Sequence, residues 1–355
     1  MMNMRIPKPI PRGRPGGPVF PDVLIQASSV WATEPRPRPR VNRATALMLS
    51  LSRRSTMALW RLGTTLSRCR RRSRLDEHGR LERRRLGSGA LAAWVLDDTR
   101  LGMTKPFLLV QLSDPHVGAT WADGDPVAGL GAAVESVRRL PDAPDAVLMS
   151  GDLADNAADG EYELVRELLA RVGAPLYVLP GNHDDRDRLR RHFDLPGAMG
   201  TPVQYGVDLG PLRLVVLDST RLGEDRGELD AERLRWLDAE LAGAPDRPTL
   251  LALHHPPVST GIAAWDEIGL PAADRRALAD VLHRHPQVRR VVAGHLHRTM
   301  TAELAGRAVL AVPSTYVQTR LSFTSDEIET AAEPLGFAVH ALLDGELASH
   351  VQPVT

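Results

Sequence analysis

The stretch Val147–Asn156, VLMSGDLADN, sets the pattern on which the whole chain is built. A short apolar run, Ala146 to Met149, halts at Ser150-Gly151-Asp152. A run of that length reads as a buried strand, and Gly-Asp directly after it as a strand-end loop. Gly151 lets the backbone turn tightly and approach its neighbours. Asp152 then leaves the carboxyl end of the strand, where open α/β sheets bind their ligands. Alone, such an end is no more than a turn. Four further apolar runs end in the same way. They are Phe107–Leu112 into Ser113-Asp114-Pro115-His116, and Leu176–Leu179 into Pro180-Gly181-Asn182-His183-Asp184. Thr249–Leu253 runs into His254-His255-Pro256-Pro257, and Val288–Ala293 into Gly294-His295-Leu296-His297. Oxygen and nitrogen donors at five strand ends point to one shared metal centre.

Between these ends the periodicity turns helical. Helices are expected over Val127–Leu140, Gly160–Val172, Arg186–His192, Asp230–Leu241 and Asp274–Arg284, with Pro141 and Gly173 as stops. Hairpins are expected over Gly210-Pro211, Ala305-Gly306 and Asp344-Gly345, the last one joining Leu335–Leu342 to Glu346–Val351. Strands alternating with helices give an α/β class, and the hairpins add antiparallel strands. Mixed sheets flanked by helices follow.

Residues 1–102 differ from the rest. They hold 21 Lys/Arg against 7 Asp/Glu in a chain with 44 of each, so residues 103–355 carry an acidic excess of 14. Pro-Arg repeats and Arg clusters interrupt every candidate element there. Such a segment buries too little apolar surface to offset its ordering entropy. It reads as a basic arm, as a targeting peptide, or as sequence upstream of a true start at Met103; the last is favoured, because Met103-Thr104-Lys105-Pro106 opens directly onto the first strand. The expected domain is therefore 103–355. Its acidic charge argues against nucleic acid as the partner, since duplex binding rests on neutralising phosphates. Cys69 is the only cysteine, which excludes an internal disulfide and thiolate ligands in the body. No apolar run reaches the roughly 18–20 residues that span a bilayer. The expected location is the cytoplasm.

Seven side chains form the candidate donor set: Asp114, His116, Asp152, Asn182, His254, His295 and His297. Carboxylates, an amide and imidazoles suit Mn²⁺, Fe²⁺ or Fe³⁺, Co²⁺ or Zn²⁺. Seven donors exceed the needs of one tetrahedral ion and suit two ions roughly 3.5–4 Å apart sharing a carboxylate, for which Asp152 is the natural bridge. The order Asp114-Pro115-His116, Gly151-Asp152, Gly181-Asn182-His183-Asp184, His254-His255-Pro256-Pro257, Gly294-His295-Leu296-His297 resembles the calcineurin-like metallophosphoesterases over residues 107–351. Within them it is most similar to class III cyclic-nucleotide phosphodiesterases and bacterial glycerophosphodiesterases, on the loop His254–Leu270, Pro313-Ser314-Thr315 and Gly336-Phe337. Pro115 falls where members of the family vary.

The resemblance implies a four-layer αββα sandwich of two mixed β-sheets, closed by the C-terminal β-hairpin, with the metals at the strand ends. It implies one ion on Asp114, His116, Asp152 and His297, and a second on Asp152, Asn182, His254 and His295. His183 matches the uncoordinated catalytic histidine beside the substrate phosphate. The implied reaction is hydrolysis of a small phosphodiester, 3′,5′-cyclic AMP foremost, by a water that two cations acidify. Glycerophosphodiesterase, phosphomonoesterase or broad phosphohydrolase activity is the alternative; a nuclease or a non-catalytic scaffold is disfavoured by the acidic body and the complete donor set. A homodimer is expected by analogy.

Other residues take plainer readings. Asp184 either orients His183 or caps the next helix. Asp155 and Asn156 read as loop structure, and His255 as support for a ligand. His192, His283, His285 and His340 read as surface or satisfied core residues, and Trp236 as core. Trp121 and Trp265 flank the site, and either could stack on substrate.

Overall fold

The computed structural model describes residues 105–355; the basic segment 1–102 lies outside the described residues. The five strands with donors at their ends are β1 (Phe107–Leu112), β2 (Ala146–Ser150), β3 (Leu176–Leu179), β6 (Thr249–Ala252) and β7 (Val288–Ala293). Around them fall β4 (Tyr205–Leu209), β5 (Leu212–Val216), β8 (Met300–Leu304), β9 (Arg307–Ala311), β12 (Gly336–Leu343) and β13 (Glu346–Pro353). Two sheets result, in the orders β13-β12-β1-β2-β3 and β4-β5-β6-β7-β9-β8. Both are mixed. β1, β2 and β3 run parallel, as do β5, β6, β7 and β9, while β12–β13, β4–β5 and β8–β9 are antiparallel.

Alternation along each strand decides the layers, because successive side chains point to opposite faces. Leu109 of β1 and Leu148 of β2 face Leu214, Val216, Leu250 and Val292 of the other sheet. The other face of the first sheet (Leu108, Val110, Leu112, Val147, Met149) packs on α1 (Pro126–Arg138) and α2 (Asp159–Ala170) through Leu130, Val134, Tyr162 and Val165. The outer face of the second sheet packs on α4 (Ala231–Ala242) and α6 (Ala272–Arg284) through Leu237, Leu241, Leu278 and Leu282. The four layers are therefore αββα, as expected. Burial on both faces makes the central strands read as near-continuous apolar runs.

Helix starts follow their caps. Asp125 accepts from the Val127 and Ala128 amides with Pro126 in the first turn, and Asp230 serves α4 in the same way. Asp185 accepts from Asp187 and Arg188 at the start of α3 (Arg186–Phe193). Three elements are too short for sequence patterning to reveal: the five-residue α5 (Ala263–Glu267), and the two-residue strands β10 (Gln318–Thr319) and β11 (Thr330–Ala331). Among the described residues no helix is long and apolar enough to cross a membrane.

Candidate metal centre

Parallel strands bring the carboxyl ends of β1, β2, β3, β6 and β7 to one edge of the sandwich. The loops there are sharply wound. Asp114, His116, Asp152, His295 and His297 all have left-handed backbone, with φ of 52, 44, 51, 66 and 49°. Residues other than glycine visit that region rarely, at order 1–3 kcal/mol each. Gly151 has φ +99°, and a Cβ there would stand 2.2 Å from His254 Nδ1. At Gly294 a Cβ would meet Ser113 Oγ at 2.2 Å and Asp114 Oδ2 at 2.7 Å. Both glycines are required by close approach of one ligand loop to another.

All seven candidate side chains come together. The donor atoms of Asp114, His116, Asp152 and His297 lie within 4.8 Å of one another, and all four residues are buried. A second group forms beside them: Asn182 Oδ1 is 3.1 Å from His254 Nε2 and 3.1 Å from His295 Nδ1. Asp152 Oδ2 belongs to both groups, at 3.3 Å from His116 Nε2 and 3.4 Å from His254 Nε2.

The hydrogen bonds around the imidazoles test whether these groups suit cations. His116 Nδ1 donates to the Asp155 carboxylate (3.1 Å) and His297 Nδ1 to the Val317 carbonyl (3.1 Å). Each Nε2 then carries a lone pair, and the two lone pairs face each other across 3.0 Å. His254 Nδ1 donates to the Ser150 carbonyl (2.9 Å), which turns its Nε2 lone pair toward Asn182 Oδ1 and Asp152. His295 Nε2 is buried with no hydrogen-bond partner. Lone pairs confronting lone pairs in a buried site call for positive charge between them, and this donor set fits two divalent ions.

The carboxylates draw positive charge to the same place, as a proton on His254 Nε2 or as a cation that displaces it. Burial alone would depress His254, but Asp152 and Asp114 pull it up to about 9. Burial would raise Asp152, yet His254, His183 and His116 hold it well below the usual carboxylate range. Burial, with His255 and His254 beside it, drives His295 far down. His183 stands above its ordinary value, because Asp152 and the Asp155 carbonyl outweigh the effect of burial.

His183 lies outside the group of Asp114, His116, Asp152 and His297, and its donor atom falls within 4.8 Å of those of His116 and Asp155. Its amide donates to Asp152 Oδ1 (2.9 Å), its Nδ1 donates to the Asp155 carbonyl (3.0 Å), and its ring sits 4.7 Å from that of His116.

Several expectations need correction. Asp155 is more than loop structure: its carboxylate accepts from His116 Nδ1 and from Trp121 Nε1 (2.9 Å), fixing both rings. Asp184 neither orients His183 nor caps α3. It accepts from the amides of Leu153, Ala154 and Gly181 (3.2, 3.2 and 2.9 Å), clamping the Asp152 loop to the Asn182 loop, while Asp185 is the cap. Trp265 is no stacking platform: it is buried with Ile262 and Leu296, its ring edge-on to His295 at 5.0 Å. Trp121 is half-buried and meets Tyr316 edge-on at 5.1 Å. Asp225 went unnoticed in the sequence. Its half-buried side chain is coupled to that of Asn182, whose Oδ1 lies 3.1 Å from both His254 Nε2 and His295 Nδ1. His255 supports that arrangement. It accepts from Ser219 Oγ (2.9 Å) and donates to the Asp225 carbonyl (3.0 Å), and burial beside His254 pushes it down to about 3.

A four-layer sandwich with a buried Asp/Asn/His centre at its strand ends is the architecture of a metal-dependent phosphoesterase. Residues 107–299 match the model of the family described as calcineurin-like phosphoesterase. A 3′,5′-cyclic adenosine monophosphate phosphodiesterase of Escherichia coli K12 is 34% identical over 256 residues, which cover 68% of this chain and 88% of that one. A protein of Arcobacter nitrofigilis named a probable glycerophosphodiester phosphodiesterase is 33% identical over 240 residues, 66% of this chain and 88% of its own. The crystal structure of a dimetal phosphatase from Danio rerio shares the fold, with TM-score 0.54 and 19% identity over 71% of this chain and 98% of that one. The chain belongs to the calcineurin-like phosphoesterase family.

Proposed function

We propose that this chain hydrolyses small phosphodiesters, 3′,5′-cyclic nucleotides such as cyclic AMP foremost, at a centre of two divalent cations. The observation that carries the reading is Asp152 Oδ2, common to two groups of buried donors. Asp114, His116, Asp152 and His297 would hold one ion, and Asp152, Asn182, His254 and His295 the other. Donors without thiolate suit Mn²⁺, Fe²⁺ or Fe³⁺, Co²⁺ or Zn²⁺. Two such cations supply a water of lowered pKa and positive charge for the phosphoryl oxygens.

The chain's own groups do the rest. Asp155 and the Val317 and Ser150 carbonyls hold the tautomers that present Nε2 of His116, His297 and His254. His183 has Nδ1 engaged, so Nε2 is the nitrogen left to meet the substrate. It donates there to a phosphoryl oxygen or to the departing alkoxide. Glycerophosphodiesters are the second reading, supported by the name of the Arcobacter relative. A cytoplasmic homodimer completes the proposal, and light scattering on the purified protein checks the assembly.

The test is an assay of Mn²⁺-loaded protein against cyclic AMP, a glycerophosphodiester, a bis-aryl diester and an aryl monoester. Diesters cleaved well ahead of the monoester, with loss on chelation, is the expected result. Monoester preference, or indifference to chelator, would sink it.

A further inference from the structure

Each proposed ion site draws on both sheets. Asp114, His116, Asp152 and Asn182 follow strands of the first sheet, and His254, His295 and His297 follow strands of the second. The placement of one sheet against the other therefore decides how well either ligand set closes. Most of the layer between them is aliphatic (Leu109, Leu148, Val216, Leu250), and such packing has no directional preference.

Just below the ligand loops the layer turns polar. Gln111 of β1 is fully buried. One amide N–H reaches Ser150 Oγ of β2 (2.8 Å), and the other reaches the Ala293 carbonyl at the end of β7, in the opposite sheet (3.2 Å). A carbonyl only accepts, so Ala293 fixes which end of the amide is nitrogen. Oε1 of Gln111 accepts from Nε2 of the buried His340 on β12 (3.0 Å), and the other ring nitrogen of His340 accepts from Ser349 Oγ on β13 (2.7 Å). Ser150 Oγ lies 2.8 Å from Ser113 Oγ and 3.2 Å from the Leu112 carbonyl. The chain of bonds spans β13, β12, β1, β2 and β7. It ends on Ser150 and Ala293, which immediately precede Gly151-Asp152 and Gly294-His295, and the Ser150 carbonyl is the group that receives His254 Nδ1.

A fully bonded polar cluster in such a place adds little net stability over an apolar core of the same shape. Its distinctive property is direction. We propose that Gln111, locked by His340, is a positioning residue that sets the register between the sheets and so closes the ligand set of Asp152, Asn182, His254 and His295 on its ion. Three of those four residues hang from the groups that Gln111 ties together. The inference rests on the dinuclear reading above.

The test compares wild-type protein with Gln111→Met and with Gln111→Met/His340→Phe. Manganese stoichiometry and affinity, the electron paramagnetic resonance of the ion pair, and Tm are read for each. Two Mn²⁺ per wild-type chain with a coupled pair signal upholds the dinuclear reading by itself; its absence removes that reading, whatever the variants do. Given the wild-type pair, Gln111→Met leaves the His340 N–H unpartnered, lowering both Tm and the affinity for the second ion. The double variant replaces both partners with apolar groups, so Tm recovers to within a few degrees. Affinity for the second ion stays about 10–100-fold down, the scale seen when a group behind a ligand is removed, and isolated-ion signal replaces the pair. Recovery of affinity together with Tm would make the cluster merely structural and overturn the proposal, as would a folded variant with wild-type affinity. If neither variant folds, Ser150→Ala, which deletes a single hydroxyl anchor, carries the test: a second ion held less tightly supports the proposal, and an unchanged one defeats it.

Discussion

At the scale of single residues, half-buried His183 and fully buried His340 put the same type of side chain to two kinds of work. His183 touches Asp152 only through its amide, so His183→Ala keeps the donor set intact. Turnover should fall by about 10²–10⁴-fold, the range of general acid–base catalysis. The loss should be smaller for a phenolate leaving group, which needs little protonation, than for a ribose alkoxide. Equal losses on both would restrict His183 to stabilising the phosphoryl oxygens, and loss of metal on gel filtration would make it a ligand. His340 is buried near Arg290 and held down to about 3. An unfolded histidine titrates near 6.5, so between those values the unfolded chain binds a proton that the folded chain refuses. Stability is then full above about pH 6.5 and declines as pH falls toward 3, by roughly 2 kcal/mol between pH 7 and 5 from this group alone. Urea midpoints at the two pH values, taken with chelator present, should show a shallower decline in the double variant that lacks His340. An unchanged difference would refute the assignment.

Among the elements, α3 is fastened to the loop after β5 by one ion pair. Arg186, its first residue, holds Asp218 after β5 at 2.7 and 3.2 Å and the Thr220 carbonyl at 2.9 Å. Asp218, fully buried, also accepts from the amides of Val203 and Thr220. Removing one partner of such a pair leaves a buried charge uncompensated, at about 3–5 kcal/mol. Arg186→Ala should lose stability on that scale in urea, with part of it regained in Arg186→Met/Asp218→Asn; a change below about 1 kcal/mol would show the pair to be solvated. The elements themselves were largely legible in the sequence. Strands covered on both faces advertise themselves as apolar runs, and Pro141 and Gly173 mark where helices have already ended. α5 and the β10–β11 pair were not legible, because two to five residues hold no period to read.

For the whole molecule, the expected boundary at Met103 yields the proposal that residues 103–355 fold and act alone. That fragment should match the full chain in phosphodiesterase activity and Tm; an insoluble or inactive fragment beside a working full chain would refute it. The convergence of the seven candidate side chains could be anticipated at this scale because their type and their place after strands recur five times. The groups that aim them could not. Asp155, Asp225 and Gln111 act through contacts made only in three dimensions, the last across 182 residues of sequence, and no local pattern distinguishes them from loop or core.

Five of the seven candidate ligands sit on left-handed backbone. Together they hold several kcal/mol of conformational strain at one edge of the molecule, and ions bound there would offset it only while present. The molecule's durability then becomes a gauge of metal supply. Digestion by subtilisin, a serine protease indifferent to transition-metal chelators, at fixed calcium and with or without such a chelator, should cut the Gly151 and Gly294 loops sooner in the stripped protein; equal rates would show that the loops hold themselves. A cell short of the metal would lose the polypeptide to its own proteases, and the enzyme's abundance would fall along with its activity.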